Sequence, residues 1–70
     1  MKLSINGQDR ELPELDAHPT LARLVELLQM KPDRIAVERN GDLVSRSTWE
    51  QVALASGDKL EIVQFVGGGR

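Results

Sequence analysis

The chain opens on an alternation, with apolar Leu3 and Ile5 set between polar Lys2 and Ser4, the period-two pattern of a strand with one buried face. Asn6-Gly7 follows, a pair that accepts positive φ at both central positions of a two-residue hairpin turn. A first hairpin is predicted here. Its return strand covers Gln8 to Leu12 and stops at Pro13, which has no N–H to give to a ladder. Glu14 to Pro19 reads as a connection.

The period then changes. Leu21, Leu24, Val25 and Leu28 recur at i, i+3, i+4 and i+7, with Leu27 widening the stripe and Thr20 placed to cap the first turn. The spacing predicts a helix that ends near Met30 or Lys31, because Pro32 disfavours helical backbone in the residue before it. Ile35-Ala36-Val37 reads as a buried strand, Asn40-Gly41 as a second tight turn, and Leu43-Val44 as the start of its return strand. Ser47 and Glu50 stand at capping-box spacing, which predicts one or two helical turns from there to about Ser56-Gly57-Asp58. Lys59 to Val66 alternates again: Leu60 and Ile62 share one face, and Glu61, Val63 and Phe65 the other.

The order strand, strand, helix, strand, strand, short helix, strand defines an α+β domain, a mixed sheet of four to five strands with one main helix laid across it. A β-grasp arrangement fits this order, with the first and last strands parallel at the sheet's centre. The expected core is Leu3, Ile5, Leu24, Leu28, Val37, Leu60 and Ile62. The domain is assigned to residues 1–66, and Gly67-Gly68-Gly69-Arg70 to a flexible tail, since residues without Cβ atoms gain little from a strand and lose much entropy in one.

Seventy residues make one small domain, too small to hold both a stable core and a deep catalytic cleft. Eleven acidic residues against nine basic ones give a net charge of −2, and no Lys/Arg run offers the footprint that nucleic acid requires. No apolar run approaches a membrane span and the N-terminus lacks the pattern of a signal peptide, so the chain is expected in the cytoplasm, away from the membrane. There is no cysteine, and hence no side chain to carry a persulfide or thioester.

Two features point to partners. The glycines at 67, 68 and 69 form a stretch of bare backbone able to thread a narrow channel and deliver a terminal carboxylate to another protein's active site, although a simple flexible end has the same composition. Val63 and Phe65 face away from the helix side, either as an exposed docking patch beside that tail or beneath a covering loop. His18 stands between Ala17 and Pro19 without a metal-ligand neighbour and reads as a surface residue, Trp49 reads as a packing anchor, and Asp33, Glu38, Asp42 and Asp58 read as solvated carboxylates.

Taken together these segments resemble the ThiS family, the sulfur carriers of thiamine thiazole biosynthesis. The likeness is strongest over Ile35-Ala36-Val37-Glu38-Arg39-Asn40-Gly41-Asp42-Leu43-Val44, with Arg46-Ser47 and Trp49 after it, and over Gly57 to Val66 with the glycines beyond. It implies a ubiquitin-like carrier, not an enzyme, with no permanently bound cofactor. The C-terminal glycine carboxylate, here Gly69, would be adenylated with ATP by an E1-like adenylating enzyme. A sulfur donor system would convert it to a thiocarboxylate, spent at thiazole synthase. Family members typically end in the glycines, whereas Arg70 follows Gly69 here, so Arg70 is to be removed, is foreign to the chain, or marks an inactive variant. A ubiquitin-like interaction or conjugation module, and a carrier for another product such as molybdopterin, remain as alternative readings.

Overall fold

The computed structural model describes residues 1–65. Strand β1 (Lys2–Ile5) turns through Asn6-Gly7 into β2 (Gln8–Glu11). Helix α1 (Leu21–Leu27) follows, then β3 (Ile35–Arg39), the two-residue β4 (Asp42–Leu43) and β5 (Lys59–Gln64). They form one sheet in the order β2-β1-β5-β3-β4. β5 runs parallel to β1 and antiparallel to β3, so the first and last strands meet at the centre as the sequence predicts.

Both hairpin turns take the expected form. Asn6 and Gly7 have φ of 52° and 81°, and Asn40 and Gly41 have φ of 51° and 91°, so each pair occupies the left-handed region at both central positions. Thr20 caps α1, its Oγ1 accepting from the Arg23 N–H at 3.1 Å. The two remaining free N–H groups of the first turn are also satisfied: Leu21 donates to Val52 O at 3.0 Å and Ala22 to Trp49 O at 3.1 Å. The segment that returns the chain toward β5 is thus hydrogen-bonded to the start of the helix, and the Leu54 N–H adds a bond to Pro19 O at 2.7 Å.

The helix ends earlier than Pro32 alone predicts. Leu28 is the C-cap, Gln29 adopts φ of 58°, the Gln29 N–H reaches Glu26 O at 2.9 Å and the Met30 N–H reaches Val25 O at 3.2 Å. This is a Schellman cap with glutamine in the position usually taken by glycine. The early stop has a consequence for packing. Leu21, Leu24 and Val25 are buried, but Leu28, expected in the core, lies past the last full turn and is only partly buried.

The core is a single cluster in which Leu3, Ile5, Val37, Leu60 and Ile62 from the sheet meet Leu21, Leu24 and Val25 from α1. Ile35 joins it, as do three residues outside strands and helix: Leu15, Trp49 and Leu54. Trp49 is the packing anchor the sequence suggests, its Nε1 donating to Val44 O at 3.1 Å. The second helix is shorter and earlier than the capping-box reading requires. It is a single 3-10 turn over Arg46–Thr48, with no side-chain cap, and Ser47 Oγ lies 3.0 Å from Ser45 Oγ instead of bonding ahead. Turn bonds continue past it, from the Gln51 and Val52 N–H groups to Thr48 O at 2.9 and 3.1 Å, but the Trp49 and Val52 carbonyls then accept from Ala22 and Leu21 of α1 instead of from a further turn of their own. Two further 3-10 turns, Pro13–Leu15 and Pro32–Arg34, each carry proline in the first turn, where its missing N–H costs nothing.

Candidate functional site

Everything the sequence singles out for function lies on or beyond β5. This strand is held on both sides by main-chain ladders, Ser4↔Lys59 and Ile5↔Leu60 toward β1, and Ile35↔Gln64 through Arg39↔Leu60 toward β3. The asparagines of the two tight turns extend those ladders. Asn6 Nδ2 donates to Ile62 O at 3.1 Å and the Ile62 N–H donates to Asn6 Oδ1 at 2.7 Å. From the other side the Lys59 N–H donates to Asn40 Oδ1 at 2.9 Å, and the Asn40 N–H to Lys59 O at 2.7 Å. Among the described residues the last tie is the Phe65 N–H, which donates to Arg34 O at 2.7 Å.

The start of β5 is anchored by Asp58. Its carboxylate accepts from Arg39 Nε at 2.9 Å, Asn40 Nδ2 at 3.1 Å and the Ala55 N–H at 2.9 Å, while the residue is only 8% exposed. Asp58 is therefore not the solvated carboxylate expected of a turn residue. Burial pushes its pKa up, but the donations from Ala55, Asn40 and Arg39, with the Arg39 charge, outweigh it and hold the carboxyl below its ordinary value. Asp33, Glu38 and Asp42 are exposed as expected, and so is His18.

Val63 and Phe65 are exposed, at 59% and 47%, and among the described residues no loop covers them. Alternation along β5 accounts for this: Leu60 and Ile62 point into the core, so Glu61 and Val63 point out on the sheet face that α1 does not cover. A third large apolar residue, Leu43 on the edge strand β4, is 72% exposed. Sequence reasoning assigned Leu43 only to a return strand. Its pairing with Glu38, which in turn pairs with Glu61, puts it on the same open face. Gly67, Gly68 and Gly69, the tail to which adenylation and thiocarboxylate chemistry were assigned, lie with Val66 and Arg70 outside the described residues.

Among the described residues no group of three or more His, Cys, Asp or Glu is arranged to hold a metal ion, and no helix is long and apolar enough to cross a membrane. A surface depression of about 560 Å³ lies between α1 and the segment carrying Trp49 and Glu50, and brings together His18, Arg23 and Glu26 with Thr20, whose hydroxyl oxygen accepts from the Arg23 N–H as the helix cap.

A five-stranded mixed sheet with its first and last strands paired in parallel, crossed by one helix, defines a ubiquitin-like β-grasp domain. Its fold matches the crystal structure of the thiamine biosynthesis protein ThiS from Geobacter metallireducens with a TM-score of 0.79 and 26% identity, covering 99% of this chain and 100% of that one. The profile of the ThiS family matches residues 3–69, and the chain belongs to that family. The sulfur carrier protein ThiS of Bacillus subtilis is 33% identical over 67 residues, 96% of this chain and 98% of that protein. A thiazole synthase of Paramagnetospirillum magneticum is 46% identical over 69 residues, and one of Magnetococcus marinus 40% identical over 70. The chain spans only about a fifth of the length of these two, 20% and 21%.

Proposed function

We propose that this chain is a sulfur carrier for thiazole formation in thiamine biosynthesis, and that it acts as a co-substrate through the carboxylate of Gly69. The observation that carries the reading is the end-to-end match to the Bacillus sulfur carrier, which takes in 98% of that protein's length. Two thiazole synthases that contain a segment like this chain within a longer polypeptide support thiazole synthase as the acceptor. The residues fit the chemistry. A carboxylate is a poor electrophile until one oxygen belongs to a good leaving group. An E1-like adenylating enzyme supplies that group when the Gly69 carboxylate attacks the α-phosphorus of ATP and pyrophosphate departs. A sulfur nucleophile at the oxidation level of sulfide, provided by the sulfur donor system, then attacks the acyl carbon, and AMP leaves with the bonding electron pair. With no cysteine in the chain, the sulfur is held at the terminus alone.

The docking surface in this reading is Val63 and Phe65, whose exposure beside the Phe65-to-Arg34 backbone bond suits a partner that must grip the domain while the glycines enter its active site. Arg70 adds a long cationic side chain after Gly69, so the reactive carboxylate is freed when the Gly69-Arg70 bond is hydrolysed. The test is an intact-mass comparison of the chain ending at Gly69 with the chain retaining Arg70, each incubated with adenylating enzyme, ATP and a sulfur donor. The Gly69 form is expected to gain the mass of an oxygen-to-sulfur exchange and the Arg70 form to stay unchanged. Failure of the Gly69 form, under conditions in which an authentic carrier reacts, overturns the reading.

A further inference from the structure

One relationship on the open face runs against the stability of the sheet. Glu38 of β3 stands directly opposite Glu61 of β5, and like charges in that position are destabilising. Both side chains are exposed, and among the described residues neither forms a salt bridge. The cations nearest in register are Lys59, two residues before Glu61 on the same strand, and Arg34, opposite Phe65 at the far end of the patch. The carboxylate pair sits within apolar surface: Leu43 pairs with Glu38 from the edge strand, and Val63 follows Glu61 two residues along β5, opposite Ala36. Val37 and Ile62, the neighbours of the two glutamates in sequence and a cross-strand pair themselves, are buried, which confirms that Glu38 and Glu61 point to the uncovered side.

We infer that this face docks a protein surface that places a lysine or arginine between Glu38 and Glu61 and apolar side chains against Leu43 and Val63. The inference rests on the sulfur-carrier reading and commits to one partner, the adenylating enzyme, because β5 leads from Glu61 through Val63 and Phe65 directly into the tail that enzyme must receive. Two carboxylates that repel each other in the free domain become an asset when a single cation bridges both. The pairing sets orientation and encounter rate as well as affinity, since complementary charge steers association before the apolar contacts close.

The experiment combines folding and binding measurements on Glu38→Gln, Glu61→Gln and the double variant, with Glu50→Gln, exposed on the α1 side of the domain, as a control that matches the charge change of each single variant. Removing the repulsion should leave the thermal midpoint of the double variant equal to or above that of the parent. Its Kd for the purified adenylating enzyme should rise about tenfold, and the dependence of Kd on salt should flatten. Glu50→Gln should bind as the parent does. Parent-like affinity and salt dependence in the double variant overturn the surface assignment. If the double variant loses its fold, the single variants carry the same comparison, and parent-like affinity in both overturns it equally. A parent chain that forms a thiocarboxylate while the variants bind unchanged removes this inference alone. A parent chain that never binds the enzyme removes the carrier reading with it.

Discussion

Asn6 and Ile62 lie 56 residues apart and exchange two hydrogen bonds, Nδ2 to the Ile62 carbonyl and the Ile62 N–H to Oδ1, in the manner of a backbone residue of a neighbouring strand. The parallel ladder between β1 and β5 is only two residue pairs long, Ser4↔Lys59 and Ile5↔Leu60. The Asn6 side chain carries that pairing one step further, to the point where β5 turns its apolar residues outward. Asn6→Ala leaves both Ile62 backbone groups unpaired on that side and should destabilise the domain by about 1–3 kcal/mol. Urea unfolding measures it, and a change below half that range means water replaces both bonds.

Gln29 closes α1 with a positive φ that glycine adopts freely and a side chain with a Cβ does not. Gln29 is exposed, so its side chain contributes little packing to offset that strain. Gln29→Gly should therefore raise stability by roughly 0.5–1 kcal/mol, somewhat less than the full cost of the left-handed conformation because glycine also gains freedom in the unfolded chain. Thermal denaturation of the two forms decides the sign.

How much of this was legible in the sequence depended on whether the signal was local. The two Asn-Gly turns, the Thr20 cap and the outward alternation of Val63 are determined within a few residues and appear as expected. The burial of Leu15 and Leu54 was not readable, because Leu15 lies in a single short 3-10 turn and Leu54 in an irregular segment, and the place of each in the core is set by where distant strands bring it. The apparent capping box at Ser47 failed for the same reason: the Trp49 and Val52 carbonyls are taken by N–H groups of Ala22 and Leu21, far away in sequence, and not by a further helical turn. Asp58 looked like a solvated turn residue since its partners Arg39 and Asn40 are 19 and 18 residues away. Of the proposed docking face, Val63 and Phe65 were visible in the pattern of β5, whereas Leu43 joins them only through strand pairing.

Asp58 gives the domain a specific acid sensitivity. Its carboxyl is held below the ordinary value of 3.8 in the folded chain, so the unfolded chain binds the proton first as pH falls. The stabilisation it provides is complete above that ordinary value and is lost as pH drops through the lower, folded one. Asp58→Asn should cost about 1.5–3 kcal/mol at neutral pH, since it removes an acceptor from Arg39. The gap between parent and variant should narrow below about pH 4. A gap that stays constant from pH 7 to pH 2, measured by thermal midpoints, rules out ionised Asp58 as its source.

Phe65→Ala tests the patch without touching the core. The side chain is nearly half exposed and its structural tie to Arg34 is made by the backbone, which alanine retains. The variant should fold as the parent does, with association to the adenylating enzyme weakened by about 1–3 kcal/mol if Phe65 anchors that contact. Titration calorimetry supplies the number; equal affinity removes Phe65 from the interface, and loss of folding reassigns it to the core.

The asparagines that grip β5 also bear on how the protein ages. In an Asn-Gly pair the glycine nitrogen, unshielded by a Cβ, attacks the side-chain amide carbon of the asparagine, forming a succinimide and expelling ammonia; water then opens the ring to an acid. At both turns the amide is bonded through oxygen and nitrogen at once, Asn6 to Ile62 and Asn40 to Lys59 and Asp58, which holds its carbon away from that attack. Chemical durability at Asn6 and Asn40 is thus tied to the attachment of the functional strand. An acid formed at Asn40 would set a second carboxylate against Asp58, so a chain whose β5 has once come loose and deamidated there is less able to close again.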